Sequence, residues 1–122
     1  MARTSVIVAQ YNPRDAEHLA VSLYAHFESV AVARNAEELR HAILKHRASA
    51  AVVDLEMLPV TELENLRSEF PQTAFVCTHR IADEAMWAAA LGAGAVDCCL
   101  TSDVDAILSA ARRHPDLAHP AA

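Results

Sequence analysis

The sequence predicts a single α/β domain: a parallel five-stranded sheet covered by helices on both faces. Two observations carry this reading. Short apolar runs alternate along the chain with segments of helical period, five of each. The 122 residues are 53% hydrophobic with two glycines and five prolines, enough for one self-sufficient core and too apolar for a disordered or low-complexity chain.

The elements follow in order. Ser5-Val6-Ile7-Val8-Ala9 is a β-branched run that Asn12-Pro13 breaks. From Asp15, Leu19, Leu23, Tyr24 and Phe27 recur at steps of three and four, the signature of an amphipathic helix. Val30 to Ala33 form a second strand. Asn35 with Glu38 then reads as a helix start, an acid in the first turn complementing the dipole, and Leu39, Ala42 and Ile43 carry that helix to about His46. The third strand, Ala50 to Val53, ends on Asp54. A helix read from Thr61 through Leu63, Leu66 and Phe70 stops at Pro71. Thr73 to Cys77 is a fourth strand with Thr78 and His79 at its end, and an alanine-rich helix spans about Ala82 to Leu91. Gly92 and Gly94 break it, Ala95 to Leu100 form the fifth strand, and Ser102 caps a last helix over Val104 to Arg113. Residues 114–122 lack any period and read as a tail or linker, so the domain is assigned to 1–113.

Charge and cysteine content narrow the class. Sixteen acids against ten bases give a net charge of -6, which excludes nucleic-acid binding by bulk electrostatics. Cys98 and Cys99 are adjacent and point to opposite faces of a strand, so with Cys77 they read as reduced thiols of a cytoplasmic protein. No apolar stretch approaches a membrane span, and no secretory leader is visible. The seven histidines lack the spacing of a zinc-binding helix: His41 and His46 are five apart, as are His114 and His119. No metal or cofactor is expected.

In a parallel sheet, reactive groups gather at the carboxyl ends of the strands. Those ends carry Gln10, Tyr11 and Asn12, then Asp54, then Thr78 with His79, then Thr101. With Val52-Val53-Asp54-Leu55-Glu56-Met57 and Gly94-Ala95-Val96-Asp97, they make the chain resemble the receiver domain of two-component response regulators, from about Thr4 to Arg113. The resemblance implies a flavodoxin-like (βα)5 fold with strand order 2-1-3-4-5, and it sets Asp54 where the family's phosphoacceptor stands.

The rest of the family's chemical set is incomplete. Two acids that hold magnesium align with Gln10 and Tyr11, the lysine with Thr101, the switching aromatic with Cys98, and a small residue with the bulkier His79. Magnesium binds weakly where one carboxylate must serve alone. Removing one electrostatic stabiliser of a transition state costs about a hundredfold in rate, and here the metal ligands and the cation are both missing. The resemblance therefore implies an atypical receiver, not an enzyme, that works through contacts; the alternative within the family is a functional phosphoacceptor at Asp54. Three readings of Asp54 stay open: it caps the next turn or pairs with Arg80; Arg80 or His79 replaces the lysine; or the Tyr11 hydroxyl plugs the pocket.

On the fourth helix, Ala85, Ala88, Ala89 and Gly92 offer a close-packed face, which turns Met86, Trp87, Ala90 and Leu91 the other way. The family's usual dimer or output surface is the fourth helix, fifth strand and fifth helix. Met86, Trp87, Leu91 and Cys98 are its candidate residues here, for a homodimer or for an output domain or regulatory protein, with transcription regulation as the expected setting. A rival class is a flavodoxin-like cofactor binder or small enzyme, but Gln10-Tyr11-Asn12-Pro13 offers no glycine-rich phosphate loop.

Overall fold

A computed structural model of the chain describes residues 4–81 and 83–113. The expectations placed on 114–122, the His114–His119 pair and Ala82 lie outside those residues. Ten elements alternate: β1 Ser5–Ala9, α1 Pro13–Tyr24, β2 Ser29–Ala33, α2 Ala36–His46, β3 Ala50–Asp54, α3 Val60–Glu69, β4 Ala74–His79, α4 Glu84–Gly92, β5 Asp97–Leu100 and α5 Val104–Ala111. All strand pairs are parallel and the sheet order is β2-β1-β3-β4-β5, the doubly wound order expected from the sequence.

The pleat divides the strand residues into two cores. Val6, Val8, Val52 and Val76 face α1 and α5, where Leu19, Leu23 and Ile107 meet them. Ile7, Val53, Phe75 and Cys77 face α2, α3 and α4 and meet Leu39, Ile43, Leu63 and Leu66. Full burial on both faces explains why β1 and β3 are continuous apolar runs. It also leaves polar side chains to the ends of these strands, with Gln10, Asp54 and Thr78 at the carboxyl ends of β1, β3 and β4.

Helix boundaries follow local hydrogen bonding. α1 starts at Pro13, two residues before the sequence reading placed it, because Asn12 Oδ1 accepts from Arg14 N at 2.8 Å and proline suits the first helical position. At α2, Asn35 accepts from Glu38 N at 2.8 Å while the Glu38 carboxylate takes Arg34 N at 2.9 Å. The α5 cap is Asp103 and not Ser102: the turn after β5 runs one residue further, closed by Asp103 N on Leu100 O, and the Asp103 carboxylate then accepts from Ala106 N. β5 starts two residues later than the sequence suggested, since Ala95 N returns to Ala90 O and Val96 N to Phe75 O ahead of the ladder.

The face of α4 is the clearest correction. Met86 and Ala90 pack toward the core, with Ala93 just beyond the helix, whereas Ala85, Ala88, Ala89 and Gly92 are exposed. A methionine removes more apolar area from water than alanine does, so the i, i+4 pair containing Met86 wins the inward position.

Gly94 joins α4 to β5 with φ +104, and a Cβ there would lie 2.7 Å from Arg67 Cγ. Gly94→Ala is expected to lower unfolding free energy by about 1–3 kcal/mol, measured by denaturant titration, whereas Gly92→Ala, with open space around it, leaves stability unchanged or raised.

Candidate functional site

The carboxyl edge of the sheet assembles Gln10, Asp54 and Thr78, 4%, 2% and 0% exposed. Their strands place them side by side on the α1–α5 side of the sheet. Asp54 and Thr78 are direct partners in the β3–β4 register, and Gln10 follows the last residue of β1. Three buried polar groups at one edge must satisfy one another or the backbone.

They do so without residue. Asp54 Oδ2 accepts from Tyr11 N at 3.0 Å and Oδ1 from Glu56 N at 2.9 Å. The second bond is a turn cap two residues on, and Asp54 O receives Met57 N and Leu58 N, each at 3.0 Å. Gln10 Nε2 donates to Thr78 Oγ1 at 2.9 Å, and the hydroxyl lies 3.3 Å from Gln10 Oε1. The carboxylate therefore fastens the loop after β1 to the loop after β3, while the amide and hydroxyl occupy each other.

Around this pair the side chains fall differently from the sequence reading. Tyr11 does not plug the pocket through its hydroxyl: its side chain is 70% exposed and only its backbone N–H reaches Asp54. Arg80 does not pair with Asp54 either. Its guanidinium bridges Asp15 at 2.9 Å and Glu56 at 3.7 Å, joining the loop after β4 to α1 and to the loop after β3. Those partners are partly exposed, so the bridge is worth about 0–1 kcal/mol. His79 is engaged with its own loop, its Nδ1 2.9 Å from Ile81 O and 3.2 Å from Ile81 N, on the face of β4 opposite to Thr78. Thr101 stands at the edge with its hydroxyl buried and unpartnered, while its N–H donates to His79 O at 3.0 Å.

The edge does not fit a divalent metal. Gln10 offers an amide already engaged with Thr78, Tyr11 offers only its N–H, and Asp54, each of whose oxygens already accepts one backbone hydrogen bond, is left as a single carboxylate to hold the ion. Among the described residues no three His, Cys, Asp or Glu side chains are grouped to hold one. What sequence reasoning missed is the Tyr11 N–H, a backbone donor that no side-chain pattern reveals. The Glu56 N–H was signalled by an aspartate opening a turn.

The face of α4 and β5 presents a shallow groove of about 430 Å³ lined by His79, Ile81, Trp87, Cys98 and Leu100. Trp87 is 47% exposed and its Nε1 donates to Asp97 Oδ1 at 3.4 Å; Arg113 approaches the same carboxylate at 3.5 Å. Leu91 is half-buried, and Cys98 and Met86 pack against the core, so Trp87 is the member of the candidate set that projects outward. All three cysteines are free. Burial pushes the Cys77 thiol well above its ordinary value, and burial with the Asp97 charge raises Cys98 and lifts Cys99 to about 12. These thiols stay neutral and act as small apolar groups, not as nucleophiles.

No family model matches the sequence, and no curated protein matches it. Solved structures do match. A response regulator protein from Burkholderia pseudomallei, crystallised with a phosphorylated aspartic acid, a calcium ion and citrate, has a TM-score of 0.79 at 20% identity over 93% of this chain and 69% of that one. A response regulator from Thermotoga maritima gives 0.78 at 20% over 88% and 93%. A signal receiver domain from Mycobacterium tuberculosis gives 0.76 at 22% over 93% and 100%. At such identities the likeness is one of fold.

The two edge hydroxyls are expected to respond in opposite ways to an isosteric change. Thr78→Val strands the buried Gln10 amide and should cost about 1–3 kcal/mol, whereas Thr101→Val removes an unpaired hydroxyl and should be neutral or stabilising by about 1 kcal/mol, both read from urea denaturation.

Proposed function

We propose that this chain is an atypical receiver domain of a response regulator, a signalling module that works through protein contact and not through magnesium-dependent phosphorylation of an aspartate. The fold shared with receiver structures supports the first half of this reading. One observation carries the second: both oxygens of the Asp54 carboxylate are bonded to backbone amides, with the side chain 2% exposed.

The chemistry follows from that geometry. An attacking carboxylate oxygen must meet a phosphoryl donor in this buried edge and carry about -1.5 to -2 charge there. Here no lysine and no acid pair stand beside it to offset that charge, and Arg80, two residues past Thr78, is committed to Asp15 and Glu56. With about a hundredfold lost for each missing stabiliser, transfer slows by on the order of 10⁴. A glycine-free loop after β1 supports no flavodoxin-like phosphate cradle either.

The contact surface of this reading is the face of α4, β5 and α5, with Trp87 as its exposed aromatic anchor and Ile81 and Leu100 flanking it. Its occupant is a second copy or an output or regulatory protein, in the setting of transcription regulation. Nucleic-acid contact belongs to such a partner, since the net charge of -6 opposes it in this chain.

Incubation with acetyl phosphate and millimolar magnesium, followed by intact-mass spectrometry, is expected to leave the protein unmodified. A stoichiometric phosphoryl adduct that disappears in Asp54→Asn would overturn the proposal.

A further inference from the structure

The two edges of the sheet differ in character. β5 opens on Asp97, a charge at the strand end that disfavours further pairing. β2, Ser-Val-Ala-Val-Ala, carries neither charge nor proline, and among the described residues no strand pairs with its outer side. Apolar surface gathers beside it. Val32 is 47% exposed and shares a groove of about 620 Å³ with Tyr11, Ala20 and Val21. Tyr24 continues the same stripe of α1, so four of the eight exposed large apolar side chains among the described residues flank this edge.

The charges around the edge identify what fits it. In Glu28-Ser-Val-Ala-Val-Ala-Arg34 opposite charges stand three residues on either side of Ala31. An antiparallel copy of this strand, paired about Ala31, brings Glu28 opposite Arg34 of the second copy, twice by symmetry, with Val30 opposite Val32. Directly opposed residues point to the same face of a sheet, so the charges meet. α2 repeats the pattern independently. Glu37, His41 and Lys45 form one helical stripe, and they line a groove of about 590 Å³ together with Ala31 and Val32. A two-fold axis through Ala31 runs this helix antiparallel to its copy, and Glu37 then faces Lys45 of the second copy. Two self-complementary patterns, on a strand and on a helix, share one axis; an unrelated partner has no reason to satisfy both.

We infer that the β2 edge binds a second copy of this chain, antiparallel, in an isologous dimer with one continuous ten-stranded sheet. A specific interface buries about 1,600 Å² in total, more than a five-residue strand offers, so the α1 and α2 stripes complete it. The β5 edges then lie at the far ends of the shared sheet. A second copy at those ends as well would build an open array. This assigns the face of α4, β5 and α5 to the other occupant proposed above, an output or regulatory protein.

Sizing with multi-angle light scattering on the full chain, over a range of concentrations, tests the inference. The wild-type protein should show twice the 13.2 kDa chain mass. Val32→Lys should give monomer, Glu37→Lys and Lys45→Glu should each weaken association by about tenfold or more, and the double exchange should restore it. Trp87→Ala should remain dimeric. Circular dichroism confirms that each variant is folded; the charge variants lie at exposed positions, so the exchange reads pairing even where Val32→Lys fails to fold. Monomer at every concentration, dimer lost in Trp87→Ala but kept in Val32→Lys, or a double exchange no better than the singles would overturn it.

Discussion

A carboxylate without bulk water must be satisfied by donors at fixed positions, and at Asp54 those donors are two backbone amides from different loops. That constraint organises the carboxyl edge. Because Tyr11 N and Glu56 N both aim at one side chain, the loops after β1 and β3 hold a fixed separation. Because these are backbone donors, the anchoring survives almost any choice of side chain at 11 and 56. Tyr11 is thereby free to turn its ring outward, and Glu56 to meet Arg80. Gln10 and Thr78 complete the arrangement with a neutral pair in the next position along the edge. The result is an edge whose buried polar groups bond to one another and to the backbone.

The sheet makes such an edge unavoidable. With β1, β3 and β4 buried on both faces, their middles are apolar, and at their carboxyl ends the pleat directs Gln10, Asp54 and Thr78 to the same side. A fold of this kind concentrates polar chemistry whether or not it is used. What decides use is the surrounding charge. Arg80 is the cation nearest in sequence to Thr78, and its two carboxylate partners leave nothing over for a third.

Much of this was legible in the sequence, for identifiable reasons. The strands declared themselves because doubly buried strands are short β-branched runs, as in Val6-Ile7-Val8 and Val52-Val53. The helix start at Asn35 rests on a side-chain to backbone bond between residues three apart, which local pattern captures, whereas the equivalent cap at Asn12 is hidden by a period that points to a start at Asp15. The misreadings are equally physical. Ser102 and Asp103 are both good caps, and a single turn bond chose between them. In α4 so many alanines surround Met86 and Trp87 that apolarity shows no preferred face, and only packing against β5 fixed the rotation. The Tyr11 N–H that reaches Asp54, and the Asp15 and Glu56 carboxylates that hold Arg80, are distant in sequence, and no local periodicity relates them.

The two edges of the sheet extend the same logic to assembly. One is closed by a charge and flanked by an exposed tryptophan; the other is uncharged and framed by residues whose signs match their own reversal. The central claim nevertheless stands on Asp54, and carboxyl-carbon NMR of that side chain during a magnesium titration reaches it most directly. The Asp54 resonance is expected to stay in place up to millimolar metal, because one buried carboxylate already bonded to two amides supplies too little charge to hold the ion. A saturable shift of that resonance at such concentrations, accompanied by movement of the Tyr11 and Glu56 amide signals, would contradict it.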